Sequence, residues 1–413
     1  MRWFSDHMMS IYGKLVIYPL RCRVQKKRIE AMRKKDKIKV LFIIIDLSEW
    51  KTECLYEQMR NHSRFDPILG LTMSMESPWE KEKFRCYLED KGYEYIDLDS
   101  IPGAINEINP DIIFYQKPYS DNYLSKYDYV HNLNRVFCYC PYSTNTIDER
   151  WIFSSPIERY SWQYYYSNES SMKSAKRAFP SITKNLVVTG LPLNDRFLQE
   201  NCFFENPWEK DGGSKKRIIY APHHTIGDLH WDGIAYSTFL DYADFMLEMA
   251  IKYKDQIQWA FKPHPYLRKR LYQVWGKEKT DAYYQKWNEM ENAQLETGEY
   301  VSLFMHSDAM IHDCASFTIE YHYCHKPVLY LLRDDKHTDN LNDFAKRAFD
   351  LHYKAKCQQD IERFINDVIF GNDPLKNERD KFYKECLLPP NGKTASENII
   401  NAILGEAEYK TLL

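Results

Sequence analysis

A chain of 413 residues is longer than one ordinary hydrophobic core and implies two domains, or three. Its 56 basic and 59 acidic residues leave a net charge of -3, which gives no general reason to expect nucleic acid as a partner. The ten cysteines are scattered, and the close pair Cys138 and Cys140 has no second pair at zinc-ligand spacing, so neither a disulfide framework nor a zinc site is implied.

Residues 11–20, IYGKLVIYPL, carry aromatic and aliphatic groups around one lysine, and residues 21–39 then hold ten Lys or Arg against Glu30 and Asp36. This pattern reads as a basic amphipathic segment, set at residues 1–37, that rests on an anionic membrane surface through residues 1–39. A solvated basic helix or linker is the alternative. The chain has no apolar run of about 18 residues and no cleavable signal pattern, so a spanning helix is not expected and a reduced, cytoplasmic setting, peripheral on the inner face of the plasma membrane, fits.

IKVLFIII (38–45) is a buried strand that runs into Asp46; TECLYEQMRNH is a helix, and DPILGLTM a second strand. DIIFYQ (111–116) and RVFCYC (135–140) read as further buried strands, stopped by KPY and CPY. NLVVTGLPLNDRFL is a short strand that turns at Gly190 and opens a helix at Asn194 or Asp195. The Gly-rich, charged stretch ENPWEKDGGSKK sets a domain boundary near residue 210.

The second half repeats the alternation: KRIIYAPHHT, a helix over TFLDYADFMLEMAIKYK, then IQWAFKPHP, SDAMIHDCASFTIEYHYC and KPVLYLL, with ASENIINAILGE as a closing helix. The expected domains are therefore 38–209, 210–390 and a closing helix in 391–413. In open α/β sheets ligands bind beyond the carboxyl ends of strands. That places APHHT (221–225), KPHP (262–265) and HDCASFTIE (312–320) at one edge. In FKPHP two prolines stiffen a loop around His264, with Lys262 beside it.

Small residues Cys314, Ala315 and Ser316 before a helix at Phe317 would let backbone N–H groups approach a phosphate. Ser316 reads equally as a hydroxyl donor or as an N-cap, and on the segment alone the cap is the plainer reading. His223, His224, His264 and His312 all fall at strand ends. Two adjacent loop histidines without carboxylates at ligand spacing do not imply metal; hydrogen bonding to a diphosphate, with proton donation to the leaving phosphate, suits histidine.

In order and spacing these motifs, over residues 186–332, resemble the CDP-glycerol glycerophosphotransferase family, the alditol-phosphate transferases of teichoic-acid and capsule synthesis. The resemblance implies an α/β fold of GT-B type, two Rossmann-like domains facing a cleft, an acceptor side first and a donor side second. It implies transfer of glycerol or ribitol phosphate from a CDP-alditol to a glycan or lipid-linked hydroxyl, with CMP released. Carried over by position, His223, His224 and His264 act on the phosphates; Lys262, Asp313, Ser316, the Phe317 amide and Glu320 bind the donor. No cofactor is firmly implied, and a divalent cation stays open.

The family's N-terminal W-H-G-T-P-L-K loop corresponds here to YCPYSTNT, which has no histidine, and an arginine of the APHHT loop is also missing. The general base is thus unassigned, with Asp46 as a fallback for which a helix-capping role is the plainer reading. Two other functions stay open: a GT-B glycosyltransferase using a nucleotide sugar, and a non-catalytic capsule-assembly protein.

Overall fold

The structure is a computed structural model; it describes residues 18–147, 156–178, 185–198, 205–208, 213–227, 235–298, 300–334, 339 and 341–406. The chain divides into two compact units. The first comprises residues 1–144, 149–195 and 389–413, the second residues 145–148 and 196–388.

The first unit is built on seven parallel strands: β1 Ile38–Ile44, β2 Phe65–Leu71, β3 Tyr95–Asp97, β4 Ile112–Tyr115, β5 Phe137–Tyr139, β6 Gln163–Tyr166 and β7 Leu186–Val188. Their order is β3-β2-β1-β4-β5-β6-β7. β1 sits mid-sheet, Ile43 facing Gly70 of β2 and Tyr115 of β4. A parallel strand covered on both faces must be apolar throughout, and Val40, Leu41, Phe42, Ile43 and Ile44 are all buried. Each such side chain stabilises the fold by roughly 1.5–3 kcal/mol.

The second unit has six parallel strands: β8 Lys216–Ala221, β9 Ile257–Phe261, β10 Ala293–Leu295, β11 Ala309–His312, β12 Val328–Leu331 and β13 Tyr353–Ala355, ordered β10-β9-β8-β11-β12-β13. Both units thus repeat the 3-2-1-4-5-6 order of a nucleotide-binding α/β sheet, each with a crevice where the order reverses, between β1 and β4 and between β8 and β11. The chain has the expected GT-B-like α/β class. Helix Phe239–Lys252 covers one face of the second sheet, burying Phe239, Met246 and Ala250 against Trp259 and Phe261.

The units divide at Asp195 and Arg196 rather than near residue 210. Phe197 and Trp208 already belong to the core of the second unit, so the boundary falls before the polar Gly-rich stretch. Nor is the closing helix a separate piece. Over Ala395–Leu404 it buries Ile399, Ile400 and Ile403 with Val40 and Phe42 in the first unit. Its start is held by a capping box of Thr394 and Glu397, and by Asp195, whose two carboxylate oxygens accept the Ala395 and Ser396 amides at 2.8 Å. Gly190 lies against Ala395 and Pro389 with φ +82°, where any Cβ would meet atoms at 3.0 Å.

The basic N-terminal segment forms helix Tyr18–Arg33. Met32 is buried in the first unit's core and Ile29 packs against it, while Lys26, Lys27 and Arg28 are exposed. These two apolar positions therefore face the first unit's core, and the basic side chains point outward. Residues 1–17 lie outside the described residues, and among the described ones no helix is long and apolar enough to cross a membrane.

Candidate active site

The loops after β8 and β9 converge at the reversal point of the second sheet. The His264 amide donates to the Pro222 carbonyl and the Lys262 amide to the Tyr220 carbonyl, which binds KPHP to APHHT through backbone alone. The prolines flanking His264 leave few other conformations. Three imidazoles are the result: ring centroids lie 4.3 Å apart for His223 and His224, 4.2 Å for His224 and His264, and 5.1 Å for His223 and His264. Tyr236 lies edge-on to His223, and Tyr266 to His224.

Hydrogen bonding sets which nitrogen carries each proton. His223 Nδ1 accepts from the Thr225 amide and meets Thr225 Oγ1 at 2.9 Å, and that oxygen itself accepts from the Tyr236 amide. His264 Nδ1 accepts from the Tyr266 amide at 3.2 Å. With Nδ1 an acceptor, a neutral ring keeps its proton on Nε2, a donor for an anion. The potential ligand atoms of the three rings lie within 4.8 Å of one another, close enough for a metal ion. These donors nevertheless fit one poorly, since a metal on Nε2 would put a proton on Nδ1 against a backbone N–H.

Burial, reinforced by Arg270, lowers His224 to about 4. Burial, then His224, Arg270 and Lys262, lowers His264 to about 3, while burial and its neighbours His264, His224 and Arg270 carry His223 well below the usual range. The rings are therefore neutral near pH 7 in the absence of ligand. This corrects the expectation of histidines titrating near neutrality, and makes Arg270 the fixed positive charge facing them. Arg270 stands in helix Leu267–Val274, five residues past the second proline of KPHP, in a basic run, RKR, that was the available sequence signal.

Asp313 follows β11 and is fully buried. Its Oδ1 accepts the His223 amide and its Oδ2 accepts the Thr238 amide and hydroxyl, at 2.7 and 3.0 Å. It therefore positions His223 and the start of helix Phe239–Lys252. Burial raises its carboxyl to about 6 against these hydrogen bonds. Lys262 is buried too and donates to the Gly298 carbonyl at 2.8 Å.

Ser316 precedes the single helical turn Phe317–Glu320 and makes no side-chain capping bond, so the cap reading fails and its hydroxyl is not committed to the helix. The first backbone bond of that turn runs from the Thr318 amide to the Ala315 carbonyl, which leaves the Ser316 and Phe317 amides ahead of the helical ladder. The Phe317 ring packs on Tyr300 and Phe304, and Glu320 is buried. His312 does not join the trio. It is buried beside Tyr330 and His352, its Nδ1 accepting the Cys314 amide.

Asp46 belongs to the first unit, where its Oδ1 accepts the Ser48 amide and hydroxyl at 3.0 and 2.7 Å and so caps the turn Leu47–Glu49. Beside it Lys117, buried, lies 3.0 Å from Glu49, 3.1 Å from Glu76 and 3.8 Å from Asp46. Burial acts against its charge, but Glu49, Asp46 and Glu76 together hold the Lys117 ammonium above the usual lysine range. Neither Glu49 nor Lys117 was foreseen, because three separate strand ends contribute the cluster.

No curated protein sequence matches the chain. Among solved structures, the wall teichoic acid polymerase TagF superposes with a TM-score of 0.59 at 15% identity, covering 98% of this chain and 97% of that one. A putative UDP-N-acetylglucosamine 2-epimerase from Listeria monocytogenes gives 0.59 at 14% identity, over 91% and 99%. The UDP-GlcNAc 2-epimerase from Neisseria meningitidis, bound to UDP-GlcNAc, gives 0.55 at 16%, over 89% and 100%. These likenesses show the fold. The CDP-glycerol:poly(glycerophosphate) glycerophosphotransferase pattern matches residues 143–405, the whole second sheet with its histidine loops, and more than half of the chain. The chain belongs to that family and is a phosphotransferase enzyme.

Proposed function

We propose that the enzyme transfers glycerol or ribitol phosphate from a CDP-alditol to a hydroxyl of a teichoic-acid or capsule glycan, and releases CMP. The observation that carries this reading is the trio of neutral imidazoles, two with Nε2 donors set by backbone amides, beside the fixed charge of Arg270. In the proposed reaction the acceptor oxygen attacks the β-phosphorus in line and the bond from that phosphorus to the bridging oxygen breaks. CMP leaves with the electron pair. The Nε2 donors of His223 and His264, with His224 and Arg270, offset the charge that grows on the phosphates.

Ser316, the Phe317 amide and Glu320 complete the donor side in this reading, and Lys262 adds charge from behind the loop. The exposed lysines and arginine of helix Tyr18–Arg33 support electrostatic contact with an anionic membrane, and the eight described cysteines, all free thiols, suit a cytoplasmic setting. Calorimetry with CDP-glycerol, CDP-ribitol, CDP and UDP-sugars tests the donor class. Preferential binding of a CDP-alditol is expected; preference for a UDP-sugar would favour a glycosyltransferase and overturn the reading.

A further inference from the structure

Thr225 is buried inside the second unit, and its side chain joins two stretches of chain at one atom. Its Oγ1 accepts the Tyr236 amide at 2.9 Å and the Ser237 amide at 3.4 Å. A hydroxyl has two lone pairs and one proton, so both pairs are occupied and the proton must find an acceptor of its own. His223 Nδ1, 2.9 Å from Oγ1, is that acceptor. The Thr225 amide points at the same nitrogen from 3.4 Å.

Two donors therefore converge on His223 Nδ1. That nitrogen keeps a bare lone pair, and the proton of the neutral ring stays on Nε2. An imidazolium needs an N–H at both nitrogens, and here the Nδ1–H would press against a hydroxyl whose oxygen already accepts two amides. The other groups around the ring work in the same direction. His224 and His264 lie 4.3 and 5.1 Å away between centroids, Arg270 adds a fixed positive charge, and Tyr236 presents its edge. The Asp313 carboxylate accepts the His223 backbone amide. Its other oxygen holds Thr238, so Thr225 and Asp313 together fasten residues 236–238, the approach to helix Phe239–Lys252, onto the His223 loop.

A neutral imidazole can hydrogen-bond a phosphate oxygen through Nε2–H, but loss of that proton would leave an imidazolate, far too basic to form here. We propose that Thr225 is the positioning residue that keeps His223 a neutral Nε2–H donor, and that His223 hydrogen-bonds the departing phosphate without acting as its general acid. This departs from the expectation of proton donation to the leaving phosphate. What His223 faces rests on the transfer reaction proposed above; where its proton sits does not. In that reaction the bond from the β-phosphorus to the bridging oxygen breaks, CMP takes the electron pair, and no bond to hydrogen breaks at His223.

The test uses the full chain labelled with nitrogen-15 histidine, the His223 signals being those lost in His223→Gln. Long-range proton–nitrogen NMR of wild type at neutral pH should show a protonated Nε2 and a bare Nδ1, with and without CDP-glycerol. Thr225→Val should shift proton population to Nδ1 and lower kcat/KM for CDP-glycerol by about tenfold or more, the scale of one misdirected donor. Thr225→Ser, which keeps the hydroxyl, should restore both the tautomer and the rate. A wild-type His223 with its proton on Nδ1 alone, or on both nitrogens in either state, would overturn the proposal whether or not any variant folds. An unchanged tautomer in folded Thr225→Val would overturn the role of Thr225. Should wild type bind no CDP-glycerol and release no CMP, the transfer reading fails and the donor role of His223 falls with it, while the spectrum of the free protein still decides the role of Thr225.

Discussion

The backbone amide of His264 donates to the carbonyl of Pro222 at 3.0 Å, so the loop of one histidine is hung on the loop of the other two. The link does not involve the imidazole. His264→Ala should therefore leave folding intact, with a melting temperature within about two degrees of wild type, a stability change of no more than about 1 kcal/mol. CMP release should fall by about 100-fold or more, the loss typical of one removed donor to developing charge. Activity within a few fold of wild type would reduce FKPHP to a turn.

The depressed imidazoles make stability and binding pH-dependent. For His224 and His264 the folded values, about 4 and about 3, lie below the unfolded value near 6.5. The stability they contribute is present above pH 6.5 and is lost as pH falls toward 4 and then 3, because the unfolded chain takes the protons first. Thermal melts should show wild type weakening over that window more steeply than His224→Asn/His264→Asn. Equal slopes would contradict the burial of these rings. A bound phosphate reverses the preference, so CDP-glycerol binding near pH 6 should take up protons, read by calorimetry in buffers of different ionisation enthalpy.

Asp313 joins two elements through three hydrogen bonds to one buried carboxylate. Asp313→Ala leaves the amides of His223 and Thr238 without their acceptor, which should cost about 2–4 kcal/mol in urea unfolding and lower CDP-glycerol affinity through displacement of His223. Wild-type stability in this variant would show that the carboxylate is not what holds the loop.

Ser316 offers the opposite pattern. Since its hydroxyl makes no cap, Ser316→Ala should change stability by less than about 0.5 kcal/mol, yet weaken CDP-glycerol binding by more than about tenfold, the worth of one hydrogen bond to a charged group. A stability loss near 1 kcal/mol with unchanged affinity would restore the capping role.

Strands with continuous apolar runs, such as 38–45 and 257–261, were legible because burial on both faces leaves only one kind of pattern. β3, β6, β10 and β13 were not, being three or four residues long or masked in the aromatic stretch near Tyr165. The three histidines could be drawn together because Pro and Gly punctuate their loops at strand ends. Their neutrality could not, since it follows from tertiary burial and from Arg270. Asp313 reads in sequence like a ligand contact, and only its hydrogen bonds reveal an anchor. Glu49 and Lys117 stand 68 positions apart in the chain, and nothing local marks them as neighbours.

Product analysis of the wild-type enzyme tests the central claim most directly. With CDP-glycerol and a glycerol phosphate acceptor, CMP by chromatography and new phosphodiester by phosphorus NMR should appear in equal amounts, and both should fall together in His264→Ala. Release of a nucleoside diphosphate from a sugar nucleotide, with no phosphodiester formed from CDP-glycerol or CDP-ribitol, would contradict it.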